Sequence, residues 1–110
     1  MRQFELRWAT LPQPAGRRPV LLLSRTPAYE YLQKVLVAEI TTRMRGIPQE
    51  VRLGTKDGLP RPCVANLDTV RPIARSLLGE RIGALAPSRR RDVKRALGYA
   101  LDWDELKALE

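Results

Sequence analysis

The 110-residue chain contains no histidine, the side chain that most often serves as general acid or base near neutral pH. It has a single cysteine, Cys63, so no intrachain disulfide can form, and we expect a reducing cytoplasm to be its compartment. Without histidine, and with one cysteine, the chain lacks the usual ligands of a zinc site. We therefore expect neither a metal ion nor any other cofactor.

Long apolar runs are also missing. No uninterrupted apolar run is longer than Val20–Leu23, whereas a membrane-spanning helix needs about 20 apolar residues. The N-terminal residues, MRQFELRW, carry no apolar signal-peptide region. The sequence therefore predicts no membrane partner.

Acidic residues are outnumbered by basic ones. Twelve Asp and Glu stand against 20 Lys and Arg, which gives a net charge of +8 and a pI near 10.6. Such an excess says more about partners than about fold, and it favours an anionic partner. Nucleic acid and a strongly acidic protein both satisfy this requirement.

Hydrophobic patterning predicts several short strands followed by one helix. Phe4, Leu6 and Trp8 are spaced two apart, as in a strand with one buried face. The chain is long enough for one domain, with a barrel at about 3–86, a C-terminal helix at about 87–101 and a tail at 102–110. This order favours a mainly β fold, a small and partly closed β-barrel with a helix on one side. The predicted strands are 4–11, 19–24, 34–42, 49–53, 63–73 and 78–86, with an irregular or single-turn helical crossing at 26–32.

Side-chain alternation along the third predicted strand separates two faces. Leu36, Ala38 and Ile40 point one way, so Glu39 and Thr41 point the other way. The strand therefore ends with a carboxylate and a hydroxyl on one face.

Two adjacent arginines, Arg17 and Arg18, precede the second predicted strand in the stretch GRRPVLLLS. A guanidinium offers a planar fork of donors that matches phosphate oxygens. The simpler alternative is an arginine pair that only solvates the end of a strand. The stretch alone leaves both interpretations open.

Five segments, taken in order, resemble the MazF/PemK family of bacterial toxins, the sequence-specific endoribonucleases of toxin–antitoxin pairs. The resemblance covers nearly everything from 4 to 101. It implies an SH3-like barrel that dimerises, cuts single-stranded RNA without metal, and is silenced by an acidic antitoxin segment lying over the dimer groove. The segments are FELRWATLPQP, GRRPVLLLS, VLVAEITT, GLPRPCVANLDTVRPI and IGALAPSRRRDVKRALGYAL.

The resemblance also implies roles for individual residues. The family's catalytic arginine falls on Arg18, and its catalytic Thr or Ser falls on Thr41. A base-contacting position falls on Thr69, where the family more often has Gln or Asn. Neighbouring residues of the same segments are further RNA-binding candidates: Arg17, Thr42, Arg43, Asn66 and Asp68.

The expected chemistry leaves one role unfilled. Attack by a ribose 2′-hydroxyl on the adjacent phosphate needs a proton acceptor, and an arginine, protonated at neutral pH, is a poor base. Glu39 lies on the same strand face as Thr41, roughly 6 to 7 Å away by strand geometry. We expect Glu39 either to accept the proton or to hold Arg18 by an ion pair. The family position is often small or apolar, so this is a hypothesis from this sequence alone.

Two other functions fit the sequence. A toxin on the same barrel can bind and poison a protein such as DNA gyrase, although the presence of both Arg18 and Thr41 argues against it. A basic RNA-binding family member without catalysis is favoured by the absent histidine and by Thr69.

Two positions depart from the family pattern. A short loop at 12–16 implies a more open groove, and Phe4 in place of a glycine implies a changed start of the first strand.

Overall fold

The computed structural model describes all 110 residues and contains six strands and two α-helices. The strands form a single antiparallel sheet with the order β4-β5-β3-β2-β1-β6. The predicted mainly β fold with a C-terminal helix is therefore confirmed. Neither helix is long and apolar enough to cross a membrane. The bounds are β1 Glu5–Thr10, β2 Arg17–Leu22, β3 Lys34–Thr41, β4 Glu50–Leu53, β5 Cys63–Ala74, β6 Leu78–Ala84, α1 Arg90–Leu101 and α2 Asp104–Lys107.

The second strand starts earlier than the apolar pattern predicts. Backbone pairing of Arg17 with Thr10 and of Arg18 with Ala9 carries the β1–β2 ladder across both arginines. Ladder hydrogen bonds involve only backbone groups, so charged side chains do not interrupt them. Both arginines are therefore held by the sheet itself. The predicted crossing at 26–32 is a short 3₁₀ helix, Thr26–Glu30.

Apolar side chains fill both faces of the curled sheet. The core cluster on one face contains Ala38 and Ile40 and packs against α1 through Val93 and Ala96. The cluster on the other face contains Val35 and Val37 of the same strand. The alternation predicted for β3 is confirmed, and Leu36 differs only in being 45% exposed.

The loop between β4 and β5 closes the sheet against β6 and so makes the half-barrel. Gly58, at φ +94°, lies so near β6 that a Cβ atom on it would sit 2.6 Å from the carbonyl oxygen of Ile82. A Cβ atom on Gly83 would come within 3.0 Å of the carbonyl oxygen of Asp57, closer than real Cβ atoms approach. The two backbones can meet only because both positions are glycine. Their contact fixes the residues that follow Gly58.

A buried carboxylate, Glu5, ties β1 to β6 and to the N-terminus. Its Oε1 accepts hydrogen bonds from the backbone N–H of Arg2 at 2.9 Å and from Nε of Arg7 at 3.1 Å. Its Oε2 accepts one from Nε of Arg81 at 3.0 Å. Burial by itself raises the pKa of Glu5, but these hydrogen bonds and the charge of Arg7 outweigh it and hold the pKa below its ordinary value of 4.5.

Glu5→Gln is expected to remove about 1 to 3 kcal/mol of stability at neutral pH, because three donors lose a charged acceptor. The lowered folded pKa means that the ionised carboxylate stabilises the fold above its unfolded pKa. This stabilisation is lost as the pH falls through the folded pKa. Urea unfolding at pH 7 and pH 3 should therefore show a gap between wild type and variant that narrows in acid. Glu80→Gln, an exposed carboxylate of β6, is the control; a gap that does not change with pH would contradict the assignment.

Candidate active site

Arg18 lies at the beginning of β2, and Thr41 lies at the end of the neighbouring strand β3. Pairing between these strands runs from Leu22 with Val37 to Val20 with Glu39 and stops there. The same register, carried two residues further, sets Arg18 opposite Thr41. Opposite residues of an antiparallel pair share a face of the sheet. The guanidinium and the hydroxyl are therefore directed into the same space.

Three surface depressions meet at Arg18. The central depression, of about 160 Å³, is lined only by polar residues: Arg18, Glu39, Thr41, Arg43, Arg45, Asn66 and Thr69. The tryptophan pocket, of about 260 Å³, shares Arg18 and Thr41 with it and extends to Trp8, Pro19 and the 59–63 segment. The proline-loop groove, of about 510 Å³, shares Arg18 and Glu39 and extends to the 12–15 loop and Arg71.

Arg18 and Thr41 both keep donors available. The Arg18 guanidinium is half-buried, and its Nε donates a hydrogen bond to the carbonyl oxygen of Ala15 at 3.4 Å. Thr41 Oγ1 accepts a hydrogen bond from the backbone N–H of Arg43 at 3.1 Å. That contact uses a lone pair of the hydroxyl and leaves its proton free. Both groups can thus donate to one bound anion.

Glu39 is the one carboxylate at this meeting point, and it lines both the central depression and the proline-loop groove. None of the six ion pairs in the protein includes Glu39 or Arg18. The ion pair expected as one alternative is therefore not formed in this structure. What remains is a half-buried carboxylate facing the same space as the hydroxyl of Thr41.

Positive charge dominates the surroundings of Glu39. Five arginines line the three depressions, and none of them is paired with a carboxylate. Clustered unpaired cations in a concave surface create a potential that attracts anions. The arrangement suits a polyanion that passes over Arg18 with phosphates on both sides. The arginines are Arg18, Arg43, Arg45, Arg61 and Arg71.

The predicted RNA-binding residues are only partly brought together. Thr42 lines the tryptophan pocket, and Arg43, Asn66 and Thr69 line the central depression. Arg17 points to the opposite face of β2, where its guanidinium carbon lies 4.1 Å from the centre of the Trp8 ring. Asp68 lies outside all three depressions and instead lines an apolar groove between the sheet and α1.

A bulge in β5 explains why the side chains of Asp68 and Thr69 line different depressions. The pairs Glu39–Asn66 and Val37–Arg71 leave the segment 67–70 opposite Ala38 alone. Within this bulge, Asn66 Oδ1 accepts a hydrogen bond from the N–H of Asp68, and Thr69 Oγ1 donates one to the Asn66 carbonyl, both at 2.8 Å. The resulting turn directs Thr69 into the central depression and Asp68 away from it.

The sequence-based prediction also misses several lining residues, among them one aromatic and three cationic side chains: Trp8, Arg45, Arg61 and Arg71. Trp8 looks like an ordinary strand residue, and the position of Arg71 depends on the bulge that precedes it. The sequence does offer an indication for Arg61. It is the one charged residue of the turn-rich GLPRP stretch, where no strand or helix requires a cation. Their shared location appears only when the barrel closes.

Metal and thiol chemistry have few candidate groups. No three Cys, Asp or Glu side chains come together in a way that could hold a metal ion. Cys63 lines the tryptophan pocket but is buried, and burial, with a smaller effect of Asp57, raises the pKa of its thiol. It therefore stays protonated near neutral pH and is a poor nucleophile.

Comparison with known proteins gives a consistent result. Residues 2–101 match the family model described as PemK-like, MazF-like toxin of type II toxin-antitoxin system. The chain is 40% identical over 99 residues to the probable endoribonuclease MazF5 of Mycobacterium tuberculosis, covering 89% of this chain and 90% of that protein. It is 39% identical over 87 residues to endoribonuclease MazF3 of the same species, covering 79% of this chain and 84% of that protein.

Solved structures agree. The Mycobacterium tuberculosis toxin MazF-mt6 superposes with a TM-score of 0.84 at 36% identity, covering 89% of this chain and 96% of that chain. A MazE-MazF structure from Deinococcus radiodurans superposes with a TM-score of 0.76 at 27% identity, covering 93% of this chain and 96% of that chain.

Proposed function

The chain belongs to the PemK/MazF family of type II toxin–antitoxin toxins, whose MazF members are endoribonucleases, and we propose that it cleaves single-stranded RNA through Arg18 and Thr41 without a metal ion. One observation carries this proposal. The two side chains expected from the family lie opposite each other and line the same two depressions. The cleavage is directed to particular sequences, as in the messenger-RNA-cutting toxins that the sequence resembles.

The reaction begins with attack of the ribose 2′-hydroxyl oxygen on its own 3′-phosphorus. A new O2′–P bond forms, the P–O5′ bond breaks, and the products are a 2′,3′-cyclic phosphate and a 5′-hydroxyl end. Negative charge gathers on the two equatorial phosphate oxygens during this step. Arg18 can place two donors on these oxygens and Thr41 one more. Positioned donors of this kind are commonly worth about 10² to 10³ in rate each.

Two protons move in this reaction, one from O2′ and one to O5′. Glu39 faces the central depression beside Thr41 and is free of any ion pair. It can take the proton of the 2′-hydroxyl, a role that no histidine is present to fill. The proton of the leaving O5′ can come from water, because the depression is open to solvent.

Glu39→Gln is expected to lower the cleavage rate by about 10²-fold, because a general base typically contributes 10² to 10⁴. The dependence of the rate on pH should also change, since the carboxylate that accepts the proton of the 2′-hydroxyl is gone. Single-turnover rates between pH 4 and pH 9 measure both effects, with Glu80→Gln as the control for loss of an exposed carboxylate. An unchanged pH profile would remove Glu39 from the mechanism.

An acidic antitoxin fits the same surface. The chain carries a net charge of +8, and the arginines around Arg18 have no carboxylate partners. The similar structure from Deinococcus radiodurans is a MazE-MazF structure. We expect an acidic segment of the antitoxin to occupy the depressions and to compete with RNA. Addition of such a peptide should raise the apparent KM for RNA, and the absence of competition would place the antitoxin elsewhere.

A homodimer is the assembly we propose. The groove between the sheet and α1 has a volume of about 510 Å³ and is lined mostly by apolar side chains. At its rim Leu36 is 45% exposed and Leu101 is 58% exposed, a combination that favours burial against a second copy. Sedimentation should give a dimer that Leu101→Glu converts to a monomer. A monomeric wild type at micromolar concentration would contradict the proposal.

Purified protein incubated with a long RNA in EDTA tests the function as a whole. Discrete fragments with 5′-hydroxyl ends that disappear in Arg18→Ala support an RNA-cutting toxin. Intact RNA with a salt-sensitive mobility shift would favour the non-catalytic RNA-binding function, because phosphate contacts weaken steeply with salt. Intact RNA together with inhibited DNA gyrase would favour the gyrase-directed function.

A further inference from the structure

We propose that the tryptophan pocket binds the base of the nucleotide next to the cleaved phosphate and selects that base through Arg61. This inference rests on the proposed function, because a base can reach the pocket only if RNA is bound at Arg18 and Thr41. It adds a base-selecting pocket to the base contact that the family resemblance implies at Thr69, which lines the central depression.

The position of the pocket limits what can enter it. Arg18 and Thr41 form the wall that the tryptophan pocket shares with the central depression. With a phosphate held between these two residues, covalent geometry delivers a flanking nucleotide to the space beyond the wall. The central depression is lined only by polar groups and suits the phosphate and ribose. The tryptophan pocket has the mixed lining that suits a base.

Stacking is the first element of the recognition. Trp8 is half-buried, and its ring lines the pocket together with Pro19, Leu59 and Pro60. Arg17 lies 4.1 Å from the centre of the ring and holds it by a cation–π contact. Single-stranded RNA is commonly bound by stacking its unpaired bases on aromatic side chains. An aromatic ring fixed beside the catalytic pair is therefore a platform for a base.

Hydrogen bonding is the second element. Two of the pocket residues are prolines and offer no backbone N–H. Arg61 is exposed, forms no ion pair, and carries donors but no acceptor. Such a side chain selects a base edge that presents acceptors, and guanine, with adjacent O6 and N7 acceptors, is its best match. Cytosine, which presents only an amino donor at that edge, is its poorest match.

Cleavage of a randomised RNA pool by Arg61→Met and Arg71→Met separates base selection from phosphate binding. Both variants lose one unpaired guanidinium at the depressions. Arg61 lines the tryptophan pocket, whereas Arg71 lines the proline-loop groove on the other side of Arg18. Sequencing of the cut ends should show a base preference at one position adjoining the cut in the wild type. Arg61→Met should flatten that preference by roughly tenfold and leave the other positions unchanged. Arg71→Met should slow cleavage of all sequences alike and reduce the salt dependence.

Each result decides the proposal. Arg61→Met with an unchanged preference, or with a uniform loss across all sequences, would show that Arg61 binds phosphate and would overturn the assignment. Trp8→Phe should retain the preference and Trp8→Leu should weaken binding of the preferred RNA; equal binding by the two would remove Trp8 as the platform. A wild type that cuts no RNA would overturn the proposed function together with this inference, whereas cutting without any preference beside the cut would overturn this inference alone.

Discussion

Replacement of Arg18 with lysine is expected to slow RNA cleavage by about 10² to 10³-fold at saturating RNA. Lysine keeps the positive charge but offers a single ammonium in place of a planar fork of donors, so it cannot place two aligned donors on the equatorial phosphate oxygens. The rate should fall more than the affinity does, because the lost contacts matter most in the transition state. Single-turnover rates, together with the Kd for an RNA with 2′-deoxyribose at the cut, measure the two effects separately.

The chain supplies a matched control one residue away. Arg17 carries the same guanidinium on the same strand, but it points to the opposite face and stacks on Trp8. Lysine at position 17 keeps a cation that can still hold the Trp8 ring, so Arg17→Lys is expected to reduce the rate by less than tenfold. Equal losses in the two variants would mean that the local positive charge, and not the geometry of Arg18, accounts for the catalysis.

Gly83→Ala is expected to give the largest loss of stability, about 2 to 3 kcal/mol. The added methyl group would come within 3.0 Å of the carbonyl oxygen of Asp57, in backbone that belongs to the opposite edge of the half-barrel. Neither partner is a flexible side chain, so the two segments must move apart. For a domain of this size the melting temperature should fall by roughly 10 to 20 °C. Urea and thermal unfolding measure the loss directly.

Gly79→Ala, in the same strand, is the control for the intrinsic effect of replacing glycine. A Cβ atom at Gly79 would lie 3.5 Å from the carbonyl oxygen of Trp8, an ordinary contact distance, and the position is exposed. This variant should remain within about 1 kcal/mol of the wild type. A Gly83→Ala protein as stable as Gly79→Ala would show that the barrel does not need the close approach of the two segments.

Local patterns were enough to predict most of the fold. The β-branched run of β3 and its two-residue alternation correctly divide Val35 and Val37 from Ala38 and Ile40. The change from a two-residue period to a helical period correctly locates α1. The start of β2 was predicted less well, because the pairing of Arg17 with Thr10 is a backbone contact that leaves no mark on side-chain composition.

The site was less predictable because it depends on contacts between distant segments. Glu39 and Thr41 share a face by simple alternation, which is why the sequence places them together. The bulge at 67–70 breaks this rule in β5, so Asp68 was expected at the site and lies elsewhere. Arg61 joins Trp8 only after the barrel has closed, and no local pattern reports that event.

The closure at Gly58 and Gly83 has a consequence for how toxins of this kind can diverge. The groups assigned to the chemistry stand on paired strands, whereas Pro60 and Arg61 are exposed on a loop whose path is fixed by backbone contacts at Gly58 and by the buried side chain of Leu59. These two exposed side chains can therefore be exchanged during evolution while the fold and the paired-strand groups stay the same. Under the proposed base selection by Arg61, a few mutations in this loop would change the RNA target without passing through an inactive ancestor.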